Sequence, residues 1–164
     1  MNVRLAAALL ATLAMAPAAR ADGDPPFTIG SRARWFVLGG VTGGGTVNGD
    51  VSGRFLGGEL SLARLNAGRY VGLYADAYYD FRMEGAYATG GVELGYKVVG
   101  LDGGIAQRFD GERRTGAAAR LSLSAGVVAL YVRYMYFPDA VMDDHVVQIG
   151  GMFKLPLAKP WGRR

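Results

Sequence analysis

From Ser31 onward the chain alternates apolar residues with small or polar ones at period two, and it breaks that alternation at Gly, Asn, Asp and Pro. Period two means strands whose two faces differ, and clustered breakers mark the turns between them. The pattern predicts eight strands, at about residues 31–41, 52–64, 69–81, 87–98, 101–109, 117–125, 127–137 and 145–155. No segment carries the i, i+3, i+4, i+7 stripe of an amphipathic helix, and no repeat stands out beyond the hairpin itself. The fold class expected is therefore all-β: an eight-stranded antiparallel up-and-down β-barrel.

The expected connections alternate in length. Thr42 to Val51, Arg82 to Ala86, Asp110 to Gly116 and Pro138 to Asp144 read as longer polar loops, whereas Asn66-Ala67-Gly68, Val99-Gly100 and Ala125-Gly126 read as tight turns. In an up-and-down barrel odd and even connections lie at opposite ends, so one end should carry loops and the other only turns. Membrane barrels show this asymmetry.

Each strand sorts its residues onto two faces. In the fourth, Ala88, Gly90, Val92, Leu94, Tyr96 and Val98 oppose Tyr87, Thr89, Gly91, Glu93, Gly95 and Lys97. In the seventh, Val128, Leu130, Val132, Tyr134 and Tyr136 oppose Ala129, Tyr131, Arg133 and Met135. A turn at Val99-Gly100 would set Lys97 opposite Asp102, and one at Ala125-Gly126 would set Arg120 opposite Tyr131. Both keep like faces together, as a one-residue slip would not. Strands one and two are less regular: Phe36 and Leu38 fall on the polar side and Arg54 on the apolar side.

Alternation alone leaves two arrangements: a soluble, lipocalin-like barrel with the apolar face inside, or the inverted, transmembrane type. Three features favour the second. The polar face is padded with Gly, Ala and Ser, which suits a narrow interior filled by side chains. Aromatics of the apolar face gather near strand ends: Tyr79, Phe81, Phe109, Tyr134 and Tyr136 toward the loops, and Trp35, Tyr96 and Phe153 toward the turns. They are expected to form two interfacial girdles. Strands of this length, tilted, cross a bilayer core.

Architecture of this kind, in strand number, loop asymmetry and alternation over nearly all of the chain after the leader, resembles the small outer-membrane barrels of the OmpA/OmpX type. The resemblance implies residence in outer-membrane lipid and delivery by the outer-membrane insertion machinery. Those barrels tend to end on an aromatic residue; here Phe153 is followed by Lys154-Leu155-Pro156-Leu157 and a short tail.

The start of the chain fits export. Arg4 precedes the apolar stretch Leu5 to Ala16, and Ala19-Arg20-Ala21 supplies small residues for a signal peptidase. The expected layout is a signal peptide at 1–21, a lead-in at 22–30, the barrel at 31–157 and a tail at 158–164. Loss of Arg4 and Arg20 lowers the formal charge from +4 to +2. With no run of Lys and Arg on one segment, nucleic acid is not an expected partner. Cysteine is absent, so disulfides contribute nothing.

The inward face is expected to hold Arg34, Glu59, Asp76, Asp80, Glu93, Lys97, Asp102, Arg108, Arg120, Arg133, Gln148 and Lys154, with Tyr74, Tyr78 and Tyr131 among them. Glu59 and Asp76 fall opposite or diagonal, depending on the turn at Asn66 to Gly68. Two confined carboxylates repel unless a cation intervenes or one keeps a proton. A plug of ion pairs is favoured over an ion path, because eight strands leave little lumen. No catalytic, cofactor or metal site is expected. His145 follows Asp143 and Asp144 but has no serine in its strand or loop, Gly43 to Gly45 lacks the ending and helix of a phosphate loop, and Asp139, Asp143 and Asp144 lack EF-hand spacing. The function expected is that of a structural or surface-interaction barrel; the alternative is a periplasmic carrier of a hydrophobic ligand.

Overall fold

The computed structural model describes residues 34–111, 113–138, 144–158 and 161. The expected leader and lead-in lie outside the described residues, as do Asp139 and Asp143. Eight strands follow in chain order: β1 (Arg34–Asn48), β2 (Val51–Asn66), β3 (Arg69–Asp80), β4 (Gly85–Tyr96), β5 (Val99–Phe109), β6 (Arg113–Ala125), β7 (Val128–Phe137) and β8 (Asp144–Pro156). Each pairs antiparallel with its neighbour, and β1 pairs with β8, so the sheet closes into a barrel. Among the described residues no helix is long and apolar enough to cross a membrane, which says nothing of a barrel.

The alternation survives folding. Along β3, Tyr74, Asp76, Tyr78 and Asp80 are buried while Val71, Leu73, Ala75, Ala77 and Tyr79 are exposed. On the outside Val41, Leu60, Val92, Leu101, Ile105 and Leu121 stand free. The polar face is the inner one. This is the transmembrane-type arrangement, the reverse of a lipocalin's.

The first loop is not a loop. Thr42 to Asn48 continue β1, and the chain reverses on Gly49-Asp50, with Asn48 paired to Val51. Gly43-Gly44-Gly45 read as a breaker run, yet these glycines are ladder residues, paired on one side to Leu56, Phe55 and Arg54 and on the other to Gly151, Gly150 and Ile149. A Cβ on Gly44 would lie 2.2 Å from the Ile149 carbonyl oxygen. Glycine is needed here so that two backbones can approach in a sharply curved wall. Two further connections at this end are also shorter than expected, since β4 begins at Gly85 and β6 at Arg113.

At the opposite end the turns are Ala67-Gly68, Lys97-Val98 and Gly126-Val127. Ala67 (φ 47°) and Gly68 (φ 79°) both take the positive φ of a type I′ turn, whose twist matches the strands it joins. Two of these turns differ in position from the expected ones. Glu93, not Lys97, lies opposite Asp102, and Arg133, not Tyr131, lies opposite Arg120. Any two-residue turn preserves the faces, so these shifts move residues along the barrel without turning them inside out. Beyond β8 the tail does not leave the barrel at once. Leu157 N–H donates to the Val37 carbonyl (2.9 Å), and Trp35 and Trp161 pair through their backbones (2.8 and 3.2 Å).

Candidate functional site: the filled interior and the aromatic belts

The alternation of β2, β3, β5, β6 and β7 delivers Glu59, Asp76, Asp102, Arg120 and Arg133 to one level of the interior, and all are buried. Glu59 and Asp76 are direct partners across β2 and β3. The cation that separates them comes from the far wall. Arg120 donates through Nε to Asp102 (2.5 Å) and through Nη2 to Glu59 (3.2 Å), and its Nη1 pairs with Glu59 and lies 3.7 Å from Asp76. Arg133 pairs with Asp76 and donates to Gln148 Oε1 (3.3 Å). Thr89 donates to the other oxygen of Asp76 (2.6 Å). Nearer the turn end, Lys154 pairs with Glu59, reaches Glu93 (3.4 Å) and donates to Ser61 (2.8 Å).

The guanidinium groups also lie over aromatic rings. Arg120 lies over Tyr74 and Tyr131 at 4.8 and 5.5 Å from the ring centroids, and Arg133 over Tyr78 and Tyr131 at 5.2 and 5.4 Å. Arg offers a planar face to aromatic rings while its edge serves carboxylates, which Lys does not.

Four of the expected interior residues sit elsewhere or act differently. Arg34 has inward parity but is exposed at the rim, because it begins β1 where the barrel wall ends. Lys97 is exposed in a turn at φ 53°, its ammonium 5.3 Å from the Tyr96 ring. Asp80 is inward and buried, but its Oδ1 accepts from the Arg82 and Met83 N–H groups (3.0 Å each), so it caps the β3–β4 turn. Arg108 joins a separate cluster at the loop end, paired with Asp110 (2.5 Å) and Asp144. Asp144, expected in a solvated loop, also accepts from Asn48 (2.7 Å).

An inner aromatic layer was not foreseen as a unit. Phe55, Tyr78, Tyr87 and Phe137 pack above the ion pairs at the loop end, with Tyr78 and Tyr87 stacked at 5.2 Å and Met135 and Val146 filling between them. Parity gave the signal, since Phe55 shares a face with Glu59, and Phe137 with Arg133.

On the outer face Tyr79, Phe81, Phe109 and Tyr134 are exposed toward the loop end, and Tyr96 and Phe153 toward the turn end, while Tyr136 and Trp35 are half-buried. Phe81 belongs to the β3–β4 turn rather than a strand, its ring 5.5 Å from Tyr79. His145 is the first outward residue of β8. Its Nδ1 lies 2.6 Å from the Tyr134 hydroxyl and its ring 5.2 Å from Tyr136, so it is part of the upper belt rather than of a loop.

The class that this geometry defines is the small closed β-barrel of the transmembrane type, apolar outside and filled with ion pairs and aromatic rings. No family model matches the chain, and no curated protein sequence matches it. Two solved structures are similar to it in form. One is the crystal structure of Neisserial surface protein A (NspA), at 9% identity and a TM-score of 0.49, over 75% of this chain and 97% of that one. The other is the solution NMR structure of the de novo designed TMB2.3, at 17% identity and a TM-score of 0.47, over 77% of this chain and 97% of that one. At those values neither says what this chain does.

Proposed function

We propose that the chain spans an outer membrane as a filled, non-enzymatic barrel with a structural or surface-interaction role. The observation that carries this is the apolar outer wall. Val41, Leu60, Leu73, Leu101, Ile105 and Leu121 are each more than half exposed, and contiguous apolar surface on that scale needs lipid or a partner to cover it. Exposed aromatics toward both ends of that wall support the same reading, since Trp and Tyr gather at the interfaces of a bilayer. Closure satisfies the backbone without water.

A carrier of hydrophobic ligands is not favoured, because the interior presents guanidinium and carboxylate groups where such a ligand would need hydrocarbon. The non-enzymatic part of the reading rests on the sequence, where His145 has no serine in its strand or loop. Among the described residues the β1–β2 and β3–β4 connections are short, and they offer a surface partner the rim of the barrel. Delivery by the outer-membrane insertion machinery, with Phe153 on the closing strand, belongs to the same reading.

Cells expressing the full-length chain should yield it in the outer-membrane fraction, with faster gel migration unboiled than boiled. Recovery as a soluble periplasmic species with no heat-dependent shift would overturn the proposal.

A further inference from the structure

The acids on the barrel's surface are confined to one end, where Arg54, Arg82, Arg108, Arg113 and Arg114 accompany them. Among the described residues the acids outside the filled interior, Asp50, Glu84, Asp110 and Asp144, all lie at the loop end. The turn end carries Arg34, Arg64, Arg69 and Lys97, every one exposed. Their strands are consecutive. Arg64 pairs with Trp35 and Val71, Arg69 with Tyr96, and Lys97 N–H donates to the Gly68 carbonyl (2.5 Å). Arg64 and Arg69 are thus diagonal neighbours, roughly 7–8 Å apart. Like charges on neighbouring positions repel, and no described carboxylate on this rim separates them. An anion from outside would.

Farther up the same strands, at mid-wall, the outer surface has a shallow groove. Small outward residues, Gly39, Gly58, Ala75 and Ala77, line it with Leu60 and Leu157, and the inward-facing Gly40, Glu59 and Asp76 complete the lining. Leu60 lies four residues above Arg64 along β2, about 14 Å. A phosphate at the collar and an acyl chain in the groove are separated by that order of distance within one lipid molecule. Long basic side chains reach from an apolar wall to headgroups without leaving it.

We infer that the turn-end collar of Arg64, Arg69 and Lys97, with Arg34 beside it, holds the phosphate of an anionic phospholipid whose acyl chain lies in the groove over β1–β3. The inference rests on the proposed membrane insertion. Its chemistry is that of basic clusters at membrane surfaces, which favour anionic lipid and weaken with salt.

The test reconstitutes the full chain in vesicles of phosphatidylcholine and in an equal mixture with phosphatidylglycerol, and measures by spin-labelled lipid which headgroup is immobilised at the protein. Heat-modifiable migration is recorded on the same samples. Phosphatidylglycerol should be preferred by about threefold or more. The preference should fall as salt rises from ~0.1 M to ~1 M, where the Debye length shortens from about 10 to 3 Å. Arg64→Gln with Arg69→Gln and Lys97→Gln should abolish it, whereas Arg54→Gln with Arg113→Gln at the loop end should leave it. If the triple variant fails to migrate as a folded barrel, Arg64→Gln and Lys97→Gln alone should each reduce the preference. Inorganic phosphate should act no more strongly than chloride at equal ionic strength. A folded barrel without headgroup preference, a preference untouched by the collar variants, or specific displacement by inorganic phosphate would each overturn the inference. Failure of the unaltered chain to insert at all would instead remove the reading beneath it.

Discussion

Arg120 and Arg133 sit one strand apart, yet they stand in different surroundings. Arg120 touches Glu59 and Asp102 and approaches Asp76. Arg133 serves Asp76, which keeps Thr89 and the nearby Arg120 if Arg133 is lost. Removing one partner of a buried pair typically costs about 3–5 kcal/mol, because the remaining charge is left uncompensated. Arg133→Leu should therefore destabilise the barrel by about 3 kcal/mol, toward the lower end of that range. Arg120→Leu should cost more, since Asp102 is left without its cation and Glu59 keeps only Lys154 and Ser61. Urea unfolding in micelles, followed by tryptophan fluorescence, ranks the two. Equal losses, or a smaller loss for Arg120→Leu, would mean the carboxylates do not depend on the guanidinium as the distances indicate. Adding Asp76→Asn to Arg133→Leu should recover part of the stability, since the charge that was stranded is then gone.

The strands show the same logic at the next scale, where glycine decides how closely two of them approach. Gly44 and Gly45 are neighbours in β1 with opposite orientations. A Cβ on Gly44 meets backbone at 2.2 and 2.6 Å, whereas one on Gly45 meets nothing nearer than 3.8 Å. Gly44→Ala should cost about 1–3 kcal/mol, as overpacking does when backbone must move, and Gly45→Ala should be close to neutral in the same unfolding experiment. A neutral Gly44→Ala would show that β1 and β8 can separate freely. These glycines also mark where the sequence ceased to be readable. Strand number, faces and closure follow from parity, which is local and survives errors of position. Whether a glycine run ends a strand or curves one depends on what crosses it, and that is remote in sequence. The β4–β5 register is a second case. Pairing Lys97 with Asp102 is reasonable for two isolated strands. In the barrel Gly95 and Gly100 align instead, and the Tyr70 side chain lies across both, its ring within 2.1 Å of a Cβ on Gly95 and its hydroxyl within 2.0 Å of one on Gly100. Asp102 then finds its cation on the other side, directly opposite in β6. The interior carboxylates and arginines were legible as a set from their face; which of them pair was not, since Arg120 and Glu59 meet across the lumen.

For the whole molecule, an apolar outer wall and a charged interior together mean that stability depends on the solvent outside. A barrel in lipid should respond to an introduced charge according to depth, and one in water should not. Ile105 projects from the middle of β5 and is 60% exposed, and Val99 begins the same strand at the turn end and is 45% exposed. Arg at the bilayer midplane costs about 2–4 kcal/mol in barrels of this class, falling to about 0–1 kcal/mol near the interface. Ile105→Arg should thus lose about 2–4 kcal/mol in vesicles and Val99→Arg about 0–1 kcal/mol. Both side chains are already exposed, so neither substitution removes a core contact, and the difference between them reads the depth of the surrounding hydrocarbon directly. Folding into vesicles, followed by the heat-dependent gel shift across a urea series, measures both. If the two variants lose equal stability, the outer wall does not face a bilayer core at Ile105. If Ile105→Arg is neutral while Val99→Arg is costly, the barrel sits displaced along its axis, with the turn end buried and the basic collar carried below the headgroups.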